Sequence, residues 1–376
     1  MLPLELSRRD FAKLGALGLA ARFAPPLAAQ PAERQTGYAI IGLGRIADIF
    51  MRGIRNTTNS KVTALVSGHR DKALRYAADY NVPEDSIYSY ENFDSIVSNK
   101  AVDAVYVALP NSMHAEYTIR AAKAGKHVLC EKPMANNVAE CEQMIAACKS
   151  AGKKLMIAYR CQYEPQHLKA IDLIRSGAIG KVQIIESAFG FNISQGEWRI
   201  DKKLAGGGPI VDVGIYSLNA CRYLTGEEPE SFKANISTID RDGRFDQVEE
   251  NLSWTMKFPS GAVAACNTTY GAVIEGYFRV HGSKGWIDMT PAFNYDGNHL
   301  RAVYFDRDGA GTGNGPGRPM QIDMPSTSRN PYQFQTQAEY FSHCVQNGID
   351  PKTPGEEGLR DMRYIAEIYK AAGASA

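Results

Sequence analysis

The chain lacks a charge imbalance, a cysteine framework, a histidine cluster and a long apolar run. Its 42 Lys and Arg stand against 41 Asp and Glu, a formal charge of +1. That balance excludes both the basic footprint that holds nucleic acid and a polybasic membrane patch. Seven cysteines (Cys130, Cys141, Cys148, Cys161, Cys221, Cys266 and Cys344) include no C-x-x-C pair. They are too sparse for a disulfide scaffold in a chain of this length and are expected as buried thiols. The seven histidines show no ligand spacing, so no metal site is expected. The apolar stretch from Leu14 to Ala24 is short and broken by Arg22, which excludes a membrane span. No internal repeat is present.

What is there begins with Ser7-Arg8-Arg9-Asp10-Phe11-Ala12-Lys13, followed by the apolar stretch, Pro25-Pro26 and the small residues Leu27-Ala28-Ala29. A basic N-terminus can carry paired arginines by chance. Their order with Phe11, Lys13, the apolar run and the small-residue site predicts a twin-arginine signal peptide over residues 1–29, cut after Ala29. A short arm follows over 30–36. The signal implies passage of a folded chain through the twin-arginine export machinery to the periplasm, with no stable membrane anchor.

The remainder of the 376 residues suffices for two domains. Over 37–160, β-rich runs alternate with helical stretches: Tyr38–Gly42, Val62–Val66, Val102–Ala108, His127–Cys130 and Leu155–Tyr159 as strands, with four helices between them. This predicts an α/β Rossmann dinucleotide-binding domain. Over 161–376 a helix to Arg175 precedes strands at Gln183–Ser187, Lys233–Ile239, Asn251–Phe258, Ala262–Asn267, Tyr277–Val280 and Gly285–Met289. A helix at Asp212–Leu224 interrupts them, Gly309–Pro319 is expected as a loop, and two helices end the chain. The expectation is an α+β substrate and oligomerisation domain with a large, mostly antiparallel open sheet, its last helices able to pack back on the first domain.

The first strand delivers Gly42-Leu43-Gly44-Arg45-Ile46-Ala47 into a helix, the G-x-G-x-x-A form of the dinucleotide fingerprint. Gly42 permits the turn, Gly44 lets backbone approach a pyrophosphate, and the helix N-terminus faces the anion. After the second strand, where an NAD site places a carboxylate on the ribose, stands Ser67-Gly68-His69-Arg70 with Lys72 beyond. Ser67, Arg70 and Lys72 are donors suited to a 2′-phosphate, so NADP is expected. A solvated basic helix start is the alternative.

Cys130-Glu131-Lys132-Pro133 follows a strand at the crevice of the sheet, and Gly206-Gly207-Gly208-Pro209-Ile210-Val211-Asp212-Val213-Gly214-Ile215-Tyr216 comes later. Asp212 and Tyr216, four apart, share one face of a helix. Paired with Lys132 they predict proton chemistry, with the ammonium acidifying a neighbouring group. A buried structural Asp with a core Tyr is the other reading.

These motifs resemble the glucose–fructose oxidoreductase, inositol dehydrogenase and rhizopine-catabolism family, most of all its periplasmic glucose–fructose and aldose–aldose oxidoreductases. The resemblance covers nearly everything after the leader, including Leu109-Pro110-Asn111-Ser112-Met113-His114, Cys130 to Met134, Tyr159-Arg160-Cys161, Gly206 to Tyr216 and Gly355-Glu356-Glu357-Gly358. It implies that Lys132 and Tyr216 are the catalytic pair and that Asp212 orients substrate. It implies further that Arg160 lines the site, that Trp198 and Arg199 close over the cofactor, and that Tyr90 lies near its ribose. Leu109, Asn111, His114 and Glu131 complete the expected cofactor set. Tightly bound NADP, monosaccharide substrates and a homodimer, or a tetramer, are also implied. The Pro-rich stretch from Pro25 to Arg34 matches an arm that wraps a neighbouring subunit, but it is shorter here.

The expected reaction is ping-pong: a cyclic aldose is oxidised to an aldonolactone, and a second aldose or ketose is reduced to an alditol. Tyr216, acidified by Lys132, serves both halves. An aldose dehydrogenase exchanging NADP each turnover would carry the same residues. A glycoside-cleaving relative with bound NAD and a non-enzymatic sugar-binding protein are further alternatives. Phe191, Asn192, Gln195, Arg199, Asp212, Tyr216 and Tyr295 are the expected sugar pocket.

Overall fold

The computed structural model describes residues 34–305 and 317–374. The expected leader, the arm up to residue 33 and residues 309–316 of the expected Gly309–Pro319 loop lie outside the described residues.

The first domain runs β1 (Thr36–Ile41), α1 (Arg45–Ile54), β2 (Ser60–Val66), α2 (Arg70–Tyr80), β3 (Ile87–Tyr88), β4 (Ala104–Val107), α3 (His114–Lys123), β5 (His127–Cys130), α4 (Val138–Ser150) and β6 (Leu155–Ile157). Its strands form one parallel sheet in the order β3-β2-β1-β4-β5-β6. Every residue of β1 is buried, as expected of a central strand covered on both faces. The strand order reverses between β1 and β4, and the crevice at their C-terminal ends is where such sheets bind ligands.

The second domain follows with α5 (Pro165–Arg175), β7 (Val182–Gly190), a short helix α6 (Lys202–Ala205), a π-helical turn (Ile210–Gly214) and α7 (Ile215–Thr225). Then come β8 (Ser231–Ser237), β9 (Asn251–Lys257), β10 (Val263–Thr269), β11 (Ile274–Gly282), β12 (Gly285–Met289), β13 (His299–Phe305) and β14 (Pro319–Pro325). Their order is β14-β13-β12-β11-β7-β10-β9-β8. All pairs are antiparallel except β7 with β10. In β9, Leu252, Trp254 and Met256 are buried while Ser253, Thr255 and Lys257 are exposed, so one face packs and the other is open.

The chain ends in α8 (Tyr332–Asn347) and α9 (Gly355–Ala371). Helix α8 lies on the first domain: Tyr38 Oη is 2.9 Å from Ser342 Oγ, and Gly53 is pressed so close to Phe334 and Gln335 that a Cβ there would sit 2.8 Å from the Gln335 amide nitrogen. Before α9, Thr353 accepts the Ile157 amide at 2.8 Å at the edge of the sheet. All seven cysteines are buried and free. Among the described residues no helix is long and apolar enough to cross a membrane.

Three strands go beyond the sequence expectation. β3 is only Ile87-Tyr88, too short to show a period. β14 begins and ends with proline, which marks an edge strand and also hides it, and β13 lies outside the expected strands as well. The region Asp212–Leu224 is not one regular helix, since its first turn is π-helical.

Candidate active site

A cavity of about 1200 Å³ runs from the fingerprint loop, across the ends of β1 and β4, to the π turn and the loop after β12. Its volume exceeds the roughly 300–1,000 Å³ of a typical small-ligand pocket, giving room for a dinucleotide and a sugar together.

At one end the backbone makes a cradle. Gly42 has φ +84°, and a Cβ there would lie 2.4 Å from the Ala108 carbonyl oxygen, so only glycine fits this turn. A Cβ on Gly44 would meet nothing within 4 Å, because the residue faces the cavity. Helix α1 starts at Arg45 with no side chain capping its first amides, which leaves those N–H groups for an anion. Leu43, Arg45 and Ile46 line this end, and the group fits a dinucleotide pyrophosphate.

The adenosine end needs a correction. Ser67 and Lys72 line the cavity, and so does His69. The Ser67 hydroxyl accepts the His69 amide at 3.1 Å. Gly68 and Arg70 do not line it: Gly68 backs onto the Tyr90 ring, and Arg70 bonds Glu84 at 3.3 Å with both side chains mostly exposed. As the first residue of α2, Arg70 points along the outer surface. Tyr90 lines the cavity edge-on to Tyr117.

Leu109, Asn111, His114 and Glu131 line the middle. Asn111 Nδ2 donates to the Ala205 carbonyl at 2.8 Å, so its amide ties the first domain to α6. The His114 ring lies between the carbonyls of Pro133 (2.8 Å) and Leu109 (2.9 Å), clamping the loops after β4 and β5 together. Burial pushes its imidazole down, against the opposing pull of the two carbonyls. Glu131 accepts from Tyr106 Oη at 2.6 Å and from the Lys132 amide at 3.2 Å, and burial raises its carboxyl.

The expected catalytic residues stand together at the far end. Lys132 Nζ donates to the Asp212 carbonyl oxygen at 2.6 Å and lies 3.3 Å from its Oδ1. Asp212 Oδ2 accepts from Arg199 Nε at 3.0 Å and from Tyr270 Oη at 2.9 Å. Burial acts to raise the Asp212 carboxyl, but Lys132, Arg199 and the Tyr270 hydroxyl outweigh it and hold the group below the usual range. Asp212 is therefore a fixed anion that positions two cations. Arg199 also lies over the Trp198 ring, 4.7 Å from its centroid, and both line the cavity.

Tyr216 departs from expectation. Lys132 makes no hydrogen bond to its hydroxyl; the ammonium lies over the ring, 4.7 Å from the centroid. The group at the phenol oxygen is Arg160, whose Nε donates to it at 3.2 Å. Burial drives the Tyr216 phenol above its ordinary value, with Arg160 pulling it back. The cation hydrogen-bonded to the phenol is thus Arg160 and not Lys132.

On the substrate side Phe191, Asn192 and Tyr295 line the cavity, whereas Gln195 is exposed and does not. Asn192 Oδ1 is held by Arg244 Nη1 at 2.7 Å. Phe189 and Phe293 flank the Tyr216 ring at centroid distances of 5.8 and 5.5 Å and were not anticipated. Tyr270, Asn294 and Gln333 were also missed. No motif marks them, and only the fold brings them to Asp212 and Arg160.

Comparison with known proteins agrees with this division. Residues 36–159 match the family described as "Oxidoreductase family, NAD-binding Rossmann fold", and residues 167–288 match the GFO/IDH/MocA C-terminal domain. A D-xylose 1-dehydrogenase (NADP(+)) of Haloarcula marismortui is 31% identical over 342 residues, covering 89% of this chain and 90% of its own. The crystal structure of aldose–aldose oxidoreductase from Caulobacter crescentus, complexed with glycerol, is similar at 45% identity and TM-score 0.83, covering 90% of this chain and 98% of that one. A 3-ketoreductase of Actinomadura kijaniata, complexed with NADP and TDP-benzene, shares the fold at 24% identity and TM-score 0.76, with coverage of 90% and 98%.

Proposed function

The chain belongs to the GFO/IDH/MocA oxidoreductase family, and from that premise we propose that it is a sugar oxidoreductase that holds NADP tightly and passes hydride from one sugar to another. The observation that carries this reading is a single cavity with a dinucleotide cradle at one end and Lys132, Asp212 and Tyr216 at the other. A bound nicotinamide dinucleotide supplies hydride acceptance from an aldose C1 and hydride return to a second sugar's carbonyl carbon.

The protein's part is proton transfer and positioning. Tyr216 takes the C1 hydroxyl proton as the aldose becomes an aldonolactone, then returns a proton to the carbonyl oxygen of the second sugar, which leaves as an alditol. Asp212, kept ionised, holds Lys132 and Arg199 where sugar oxygens bind. The aromatic wall of Phe189, Phe191 and Phe293 suits the apolar face of a pyranose.

NADP over NAD is supported by Ser67, His69 and Lys72 at the cavity wall after β2, while the carboxylate of that segment, Asp71, does not line the cavity. Tight binding is supported by the twin-arginine leader: in the periplasm a cofactor lost is not replaced, so a self-contained cycle suits an exported enzyme. The open face of the eight-stranded sheet supports a homodimer.

The test is the absorbance of extensively desalted full-length protein. Adding aldose is expected to produce the reduced-nicotinamide band, and adding an acceptor sugar is expected to abolish it, with lactone and alditol measured separately. A response that needs added NADP identifies an exchanging aldose dehydrogenase instead. No response to any aldose with NADP present refutes the sugar reading.

A further inference from the structure

The reaction proposed above needs Tyr216 to give and take a proton, and this inference rests on that reading. Burial opposes its phenolate, so the groups around the hydroxyl decide how the proton moves. Facing Tyr216 are Glu131 and Lys132 from the loop after β5, Arg160 and Cys161 from the segment after β6, and Tyr295 from the loop after β12. Among the described residues only Arg160 is hydrogen-bonded to the phenol oxygen.

We propose that Arg160 sets the proton on Tyr216: its Nε–H fixes the phenol oxygen as an acceptor, turns the hydroxyl proton toward the sugar and balances the phenolate when it forms, while Lys132 serves Asp212. An arginine has no acceptor, so while the phenol is protonated the Tyr216 oxygen accepts and its own O–H is left to donate elsewhere. That is the state needed to protonate a carbonyl oxygen. When the proton has gone, the same contact becomes a guanidinium–phenolate ion pair, which is the state needed to deprotonate an aldose. One contact serves both halves.

The guanidinium is held rigidly for this. Nη2 donates to the Phe293 carbonyl at 2.5 Å, and Nη1 donates to the Asn294 carbonyl at 3.1 Å and to Gln333 Oε1 at 2.5 Å. None of these acceptors is a carboxylate, so no ion pair draws the guanidinium away from the phenol, although the buried Glu131 and Glu164 carboxyls also feel its charge. Gln333 is oriented in turn by Glu164, whose Oε2 takes Gln333 Nε2 at 2.6 Å and leaves Oε1 to Arg160. Lys132, by contrast, spends its ammonium on the Asp212 carbonyl and carboxylate.

The experiment places a polyfluorinated tyrosine, a near-isosteric phenol of greater acidity, at position 216 of the full chain and follows its ionisation by ¹⁹F NMR without sugar. Arg160→Met is expected to raise the midpoint by roughly one pH unit or more, as loss of an adjacent opposite charge does. Lys132→Met is expected to move it less, because the Asp212 charge already offsets that ammonium. An unchanged midpoint in Arg160→Met, or an equal or larger shift in Lys132→Met, overturns the proposal. Should Arg160→Met not fold, Arg160→Lys is compared: a raised midpoint supports the proposal and an unchanged one overturns it. The titration needs no turnover, so its outcome is separate from whether any aldose is oxidised.

Discussion

Replacing Glu164 with Gln isolates the electrostatic cost of building this site. Glu164 is 1% exposed and accepts Asn298 Nδ2 at 2.5 Å and Gln333 Nε2 at 2.6 Å. Burial pushes its carboxyl up from the ordinary 4.5 to about 7, against the pull of Asn298 and Arg160. Because the folded value lies above the unfolded one, folding favours the protonated form. The associated stability is present below the unfolded value, falls as pH rises through the interval and is lost above about 7. The gap from 4.5 to about 7, at about 1.36 kcal/mol per pH unit, corresponds to roughly 3 kcal/mol. Glutamine keeps an oxygen for both donors but carries no charge. Chemical denaturation of the full chain, read as the difference between variant and unaltered protein, removes every other titration from the comparison. Moving from acid to alkaline buffer is expected to shift that difference by roughly 3 kcal/mol in favour of Glu164→Gln. A difference that stays constant, or moves the other way, refutes the account and means that Arg160 and the two amides compensate the carboxylate fully.

The remaining predictions separate cradle from chemistry. Gly42→Ala, at positive φ and against Ala108, is expected to cost about 1–3 kcal/mol in denaturation, whereas Gly44→Val, facing open cavity, is expected to leave stability unchanged and weaken dinucleotide binding measured by calorimetry. Asp212→Ala leaves Lys132 and Arg199 without their shared anion and is expected to destabilise by about 3–5 kcal/mol at neutral pH; since the Asp212 carboxyl is held low in the fold, that difference persists above the unfolded value and shrinks only as pH falls through the folded one. Lys72→Ala is expected to reduce the ratio of NADP to NAD affinity by roughly ten- to a hundredfold, since a hydrogen bond to a charged group contributes about 1.5–3 kcal/mol; an unchanged ratio removes Lys72 from the 2′-phosphate site.

The legible parts of this protein are those whose physics is local. Gly42 and Gly44 sit within a strand, turn and helix, and the burial of β1 from end to end is written in its own residues. The parallel pairing of β7 with β10 is not local, because hairpin reasoning assigns neighbours along the chain and these two strands are separated by α7, β8 and β9. Arg70 shows the limit of composition: a basic residue one position into α2 looks like a phosphate ligand, yet helical geometry turns it outward to Glu84. Lys132, Asp212 and Tyr216 stand out by motif and the fold brings them together, but no motif shows that the hydrogen bond to the Tyr216 oxygen comes from Arg160. Both cations lie over the Tyr216 ring, 4.7 and 4.9 Å from its centroid, and only the fold decides which of them reaches the oxygen.

That contact is hidden in the sequence for a structural reason that also bears on how the enzyme is built. Each acceptor of Arg160 comes from elsewhere in the chain: Tyr216 from α7, Phe293 and Asn294 from the loop after β12, and Gln333 from α8, 173 residues away. Helix α8 is itself seated on β1 through Ser342 and Tyr38 and on α1 through Phe334 and Gly53. The strand that opens the nucleotide cradle is therefore covered by the helix that orients the guanidinium. The pyrophosphate cradle is built from backbone within a single βα turn, whereas the contact on the Tyr216 phenol needs the second domain and the tail helix docked together. Loosening α8 acts on that contact directly, through Gln333, and on the cradle through β1 and α1, so both ends of the site depend on the packing of this one helix.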